Sequence, residues 1–147
     1  MAFKFSTEVR RQQCVVGSLK SILDGSVIRL FSGPVPASAD SALIPANVLL
    51  CEISNGGSPV TFESVANGAT LTKSLSEVWQ GNNVDTGTVT FFRMMMPSDS
   101  NAADSDEVRV QGSVGGPAAD LTISNTSLIS GAPNRLEYFA ISMLESA

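Results

Sequence analysis

The chain has 147 residues, 43% of them hydrophobic, and a formal net charge of −5; a single domain over 1–147 with one buried core is expected, and a disordered chain is excluded. No apolar run approaches the ~18 residues a membrane-crossing helix needs, and the opening MAFKFSTEVRR lacks the apolar stretch of a secretory signal, so folding in a cytoplasm is expected. There is no histidine, which removes serine–histidine and cysteine–histidine mechanisms from this chain together with the commonest metal ligand.

Residues 1–25 read as an arm and one α-helix. Ser6 is placed to cap it, Glu8 lies in the first turn where the helix dipole favours an anion, and Asp24-Gly25 ends it. Val9, Val16, Leu19 and Leu23 follow the spacing of one apolar face, while Arg10, Arg11 and Lys20 take the other. The segment is basic: residues 1–29 hold five bases and two acids, net +3, whereas residues 30–147 hold four bases and twelve acids, net −8. A body of that sign lacks the basic face that nucleic acid requires. Two readings of the helix follow. It packs on its own sheet with a solvated polar side, or it docks on an acidic protein surface through Lys4, Arg10, Arg11 and Lys20.

Residues 26–147 read as a β-body. Alternating runs at 26–32, 48–54, 60–65, 69–74, 86–96, 107–114, 119–124 and 135–144 are separated by turns such as Asn55-Gly56-Gly57 and Asn67-Gly68, with Gly115-Gly116-Pro117 before the last two strands. Residues 33–47, rich in Pro, Ala and Ser, form a long shaped loop expected to run over the surface; SLSEVWQG is ambiguous between strand and helical turn. The count predicts a mainly β fold, an antiparallel sandwich or jelly-roll-like barrel of about eight strands with one N-terminal helix.

Few residues invite chemistry. Cys14 and Cys51, too far from a metal-ligand or disulfide-framework spacing, read as reduced, buried thiols. Asp99, Asn101, Asp104 and Asp106 are oxygen donors on one short segment, but they lack the glycine and terminal glutamate of a calcium loop, so a solvated acidic loop is expected and no metal site is assigned. Trp79 reads as a packing residue, with a sugar-stacking platform beside Asn82, Asn83 and Asp85 as the competing view. Phe92 and Arg93 are one inward and one outward strand position. Met94-Met95-Met96 is either an adaptable contact surface or a core edge. Asp120 is placed to satisfy loop amides. No catalytic residue and no cofactor is assigned.

The ordered series IRLFSGPVPASADSA, LLCEI, EVWQG, TGTVTFFRM, VRVQGSVGG and ADLTISNTSLISGA resembles a family of small virion structural proteins of tailed bacteriophages. The resemblance rests on Ile28 to Pro36, Trp79 to Gly81, Phe92-Arg93 and Gly112 to Gly131, and it covers roughly residues 8–144. It implies a capsid decoration or cement protein that ties shell subunits together, located in the virion after synthesis in the host bacterial cytoplasm. Its partners would be the major capsid protein or other virion proteins, and it would be a homo-oligomer on the particle. A head–tail neck or tail protein is the alternative within the family, and a carbohydrate-binding module the alternative outside it.

Overall fold

The computed structural model describes residues 3–64, 69–115 and 119–142. The chain is mainly β. In chain order the strands are β1 (Lys4–Phe5), β2 (Val27–Phe31), β3 (Leu49–Asn55), β4 (Thr70–Thr72), β5 (Trp79–Asn82), β6 (Gly87–Thr88), β7 (Phe91–Met95), β8 (Arg109–Gly115), β9 (Leu121–Thr122), β10 (Ser127–Leu128), β11 (Pro133–Leu136) and β12 (Ala140–Ser142); helices α1 (Thr7–Val15) and α2 (Leu19–Leu23) lie between β1 and β2. Eight strands form one sheet in the order β1-β8-β7-β2-β3-β5-β11, with β9 also paired to β8. That sheet is antiparallel apart from the β8–β9 pair. Two small sheets, β6 with β10 and β4 with β12, complete an architecture compatible with a sandwich.

The expected strands at 26–32, 48–54 and 107–114 form as β2, β3 and β8, but several elements depart from the periodicity. The single helix is two. Val16 ends α1, and Ser18 opens α2 by accepting a hydrogen bond from the Ser21 amide at 3.1 Å. Gly17 lies at the break, so Val16 is left exposed while Val9, Ile22 and Leu23 are buried. Among the described residues, 60–64 of the run at 60–65 make only isolated bridges, Ser26 to Val60 and Phe62 to Lys73. The long strand at 86–96 divides: β6 pairs with β10, whereas β7 joins the main sheet between β2 and β8. The hinge is Val89-Thr90, whose amides donate to Thr126 O and Phe31 O at 2.9 Å each, so one chain segment serves two sheets. The Asn67-Gly68 turn and Gly116-Pro117 lie outside the described residues.

The core fills one face of the main sheet. Ile28, Leu30, Cys51, Ile53, Phe92, Met94 and Val110 pack with Phe62, Trp79, Phe139 and Ile141 in one cluster. Aromatic edges knit it together: Phe62 meets Trp79 at 5.4 Å between centroids, and Phe3 meets Phe92 at 6.1 Å and Phe139 at 5.8 Å. Trp79 is fully buried, and its Nε1 donates to Glu77 Oε1 at 2.8 Å. Met94 and Met95 are both fully buried, and Met96, partly buried, packs against the core, so the methionine run is a core edge.

Two glycines show how tightly the strands approach. A Cβ on Gly33, at φ +88°, would lie 2.4 Å from Ala46 O, and one on Gly81 would lie 2.0 Å from Glu52 O. Both clashes are with backbone, which cannot swing aside. Gly81→Ala is expected to cost about 2 kcal/mol or more in urea unfolding. Gly115→Ala, whose new atom would meet nothing nearer than 3.7 Å, should change stability by less than about 0.5 kcal/mol.

Candidate functional site

The second face of the main sheet is not open. On β7 and β8, Arg93, Arg109 and Gln111 point away from the core, yet each is buried. The covering layer is the 33–47 loop, which crosses the sheet as a strap. A guanidinium removed from water must have its N–H groups met; backbone carbonyls of the strap meet one terminal nitrogen of each arginine, while Arg93 Nη1 is buried without a hydrogen-bond partner among the described residues. Arg93 Nη2 donates to Ser38 O at 3.2 Å and Ser41 O at 2.7 Å, while its Nε donates to Gln111 Oε1 at 2.9 Å. Arg109 Nη1 donates to Ala39 O at 3.2 Å, and Gln111 Nε2 to Pro36 O at 2.9 Å. Beneath the strap Phe31 stacks on Phe91 at 5.3 Å, beside buried Val27, Ala39 and Met95.

Asp99 supplies the anion. Its carboxylate accepts from Arg109 Nε at 2.7 Å and Nη2 at 2.8 Å, a bidentate pair with both side chains buried. Burial would raise the Asp99 pKa, but the Arg109 bonds and the Asn101 amide hold it below its ordinary value. The Arg109 pKa is raised in turn by Asp99. Arg93, with no carboxylate of its own, is pushed down to about 10 by burial and then by Arg109. The acidic segment therefore divides: Asp99 is a structural counter-ion, and only Asp104 and Asp106 remain on the solvated side. Among the described residues no group of three or more His, Cys, Asp or Glu side chains is placed to hold a metal.

The four cations expected to dock on a partner are spread along the arm. Glu8 accepts from Arg11 at 2.7 and 2.5 Å and from Gln12 at 2.6 Å, and these bonds bring its pKa down to about 2. Lys20 pairs with Asp24 one helical turn on. Lys4 Nζ donates to the strap at Ala37 O, 3.1 Å away. Arg10 is exposed and donates to Thr7 Oγ1 at 3.1 Å. Arg10 and Arg11 are both exposed, although successive helical positions diverge by about 100°. Folding also brings acids to the arm. Asp40 of the strap accepts from the Thr7 amide at 2.9 Å and from its hydroxyl, and Asp106 lies close enough to raise the Arg11 pKa. The charge division written in the sequence is therefore partly cancelled in the fold.

Other expectations resolve plainly. Trp79 is inside the core, so it is no sugar platform, and Asn83 beside it is buried too, its amide donating to Ile129 O at 3.1 Å. Asp120 binds strand rather than loop: it accepts from the Ser113 amide of β8 at 3.0 Å and from the Ser113 hydroxyl at 3.2 Å. Cys51 is buried, with its thiol raised to about 11 by burial and the Glu52 charge, but Cys14 is exposed on α1; both are free. An open groove of about 670 Å³ lies between residues 120–124 and 133–140, with Tyr138 exposed on its wall. The buried arginines escaped the sequence reading because alternation marks a face without saying what covers it. The signal was present in FFRMM, a strand apolar on both sides of its cation. No family, curated protein or solved structure matches the chain.

Removing the carboxylate while keeping its shape isolates the ion pair. Asp99→Asn leaves Arg109 buried beside a neutral amide and is expected to cost about 3–5 kcal/mol, read from the urea midpoint. The depressed Asp99 carboxyl contributes stability that is present above its ordinary value of 3.8 and is lost as pH falls below it. The acid limb of the stability curve should therefore flatten in the variant, and an unchanged limb would count against this assignment.

Proposed function

We propose that this chain is a structural protein of a tailed-bacteriophage particle, acting as a capsid decoration or cement protein without catalysis. The observation that carries the reading is the ordered motif series, because its residues are those that build the fold. Ile28 to Pro36 is β2 and the first part of the strap. Trp79 and Gly81 lock β5 against β3 and the core, and Phe92-Arg93 serves the two faces of β7. Gly112 to Gly131 runs from β8 through β9 and β10. A sequence that invests its distinctive residues in a rigid, twice-covered sheet is suited to bearing load between neighbours.

The arm is the docking element in this reading, meeting an acidic patch on the shell protein. Arg10 and Lys4 carry that contact, since Arg11 and Lys20 already have carboxylates of their own. A neck or tail position uses the same motif order, and abundance separates the two. Quantitative mass spectrometry of purified particles should find on the order of hundreds of copies, whereas a neck ring would give about a dozen. Absence from particles would overturn the proposal.

Docking is tested best with Arg10→Glu alone. Arg11→Glu would set two carboxylates one turn apart with Glu8 and unsettle α1 itself. The Arg10→Glu protein should fold normally but occupy particles lacking the protein about 3- to 10-fold less at equal concentration, and wild-type occupancy should fall as salt rises from about 50 to about 500 mM. Equal occupancy of both proteins at both salts would remove the arm from the contact.

A further inference from the structure

The chain's single tyrosine stands where a packing residue would not. Trp79 and the phenylalanines are buried or half-buried, whereas Tyr138 is 64% exposed. Its backbone is held from both sides. Leu136 is buried and pairs with Trp79 in the β11–β5 ladder. Phe139 is buried against Phe62, Trp79 and Phe92, and its carbonyl accepts from the Lys73 amide at 2.9 Å. With Leu136 and Phe139 fixed inward, Glu137 and Tyr138 are turned to water. A ring presented on so firm a base needs little further ordering when something stacks on it.

Tyr138 lines the open groove of about 670 Å³, a volume that suits a small molecule. Three apolar residues of its lining, Leu121, Ile123 and Phe139, are buried, so the base of the groove belongs to the core. The polar groups lie on the exposed part. Arg135 Nε donates to Glu137 Oε1 at 3.0 Å, with both side chains more than half exposed. Asn134 Nδ2 makes one long bond, 3.4 Å to Asn83 Oδ1. Among the described residues the hydroxyls of Tyr138 and Ser124 have no hydrogen-bond partner, so their capacity is open to a ligand. Asp120, also on the lining, is committed to Ser113.

We propose that this groove binds a neutral sugar, an oligosaccharide of about two or three pyranose rings, with one ring stacked on Tyr138. The face of a tyrosine takes the apolar C–H face of a pyranose while its hydroxyl stays wet. Sugar hydroxyls both donate and accept. They are met by a guanidinium that only donates, a carboxylate that only accepts and an amide that does both, which Arg135, Glu137 and Asn134 set along one groove. Charge argues against other ligands that stack on aromatic rings. The lining holds one cation, Arg135, against Glu137 and Asp120, so phosphate and nucleic acid would meet a net negative surface. A proline-rich peptide docks in a groove lined by several aromatic rings, and here one ring is exposed.

The test titrates maltotriose, cellotriose and chitotriose into the isotopically labelled full chain and follows its nuclear magnetic resonance shifts. At least one should bind with a dissociation constant on the order of 0.1–1 mM, moving the amides of 121–124 and 134–139. Tyr138→Ala should weaken that binding about tenfold, and Tyr138→Phe, which keeps the stacking face, by less than about threefold. Leu75→Ala, at an exposed apolar position that does not line the groove, should leave it unchanged. The thermal midpoint confirms that each variant folds. Salt raised from about 50 to about 500 mM should not alter the affinity, because the ligand is uncharged. No binding by any of the three sugars, undiminished binding by Tyr138→Ala, or affinity lost with salt would each overturn the inference. Decaproline or inorganic phosphate filling the groove in place of the sugars would do the same. The inference is independent of the virion reading: a sugar-binding chain absent from particles upholds the one and sinks the other, and a decoration protein that binds none of the sugars does the reverse.

Discussion

Two guanidinium groups buried on the outward face of a β-sheet set the conditions that the rest of this structure meets. Arg93 and Arg109 are fully enclosed, and an unmet charge in such a place costs several kcal/mol. The chain answers with one carboxylate, Asp99, and with the carbonyls of the strap, which converts a surface loop into a second covering layer. Arg109 extends the arrangement through its backbone. Its amide donates to Ser6 Oγ at 3.0 Å, and its carbonyl accepts from Ser6 N at 2.9 Å, fixing the residue that caps α1. Strap, sheet and helix are thus joined at one residue, and the Asp40–Thr7 bonds close the circuit from the strap back to the helix.

This arrangement bears on what the exterior can do. The acids closest to the arm are partly occupied within the chain, as are Arg11 and Lys20, so the protein offers a partner less charge than its composition suggests. Charge is gathered at the end that carries the helices, and the other end is left apolar. A small protein with two chemically distinct ends can meet two different neighbours.

How far the sequence revealed this follows from what periodicity encodes. Val27–Phe31, Leu49–Asn55 and the Ser6 cap were legible because alternation and capping are local. The helix break at Gly17 was hidden by an apolar spacing that continued across it, and its cost appears as exposed Val16. The division of 86–96 was hidden because Val89 and Thr90 suit a strand, and only their partners Thr126 and Phe31, distant in sequence, send the two halves to different sheets. Burial on the second face was the largest omission. Arg93, Met95 and Gln111 fit an outward face by alternation, and only the long-range path of the strap makes them interior. The four docking candidates lie on the arm and its helices, whereas the pairing of Arg11 with Glu8 and of Lys20 with Asp24, and the turn of Asp40 to Thr7, depended on short-range geometry and on a strap whose course no local pattern specifies.

The central claim is that the strap is a layer of the fold rather than a loop on it, and native-state hydrogen exchange tests that most directly. The Leu43 amide bonds to Asn101 O at 3.1 Å, and the Asp104 amide bonds to the strap at Asp40 O, 3.0 Å away. If the buried guanidiniums hold the strap as described, these two amides and Arg109 Nε–H exchange only when the whole domain unfolds, with the same opening free energy as the amides of Phe92 and Val110 in the sheet. Exchange of the Leu43 and Asp104 amides by a local opening, several kcal/mol easier than that of the sheet, would contradict the account and return residues 33–47 to the role of a surface loop.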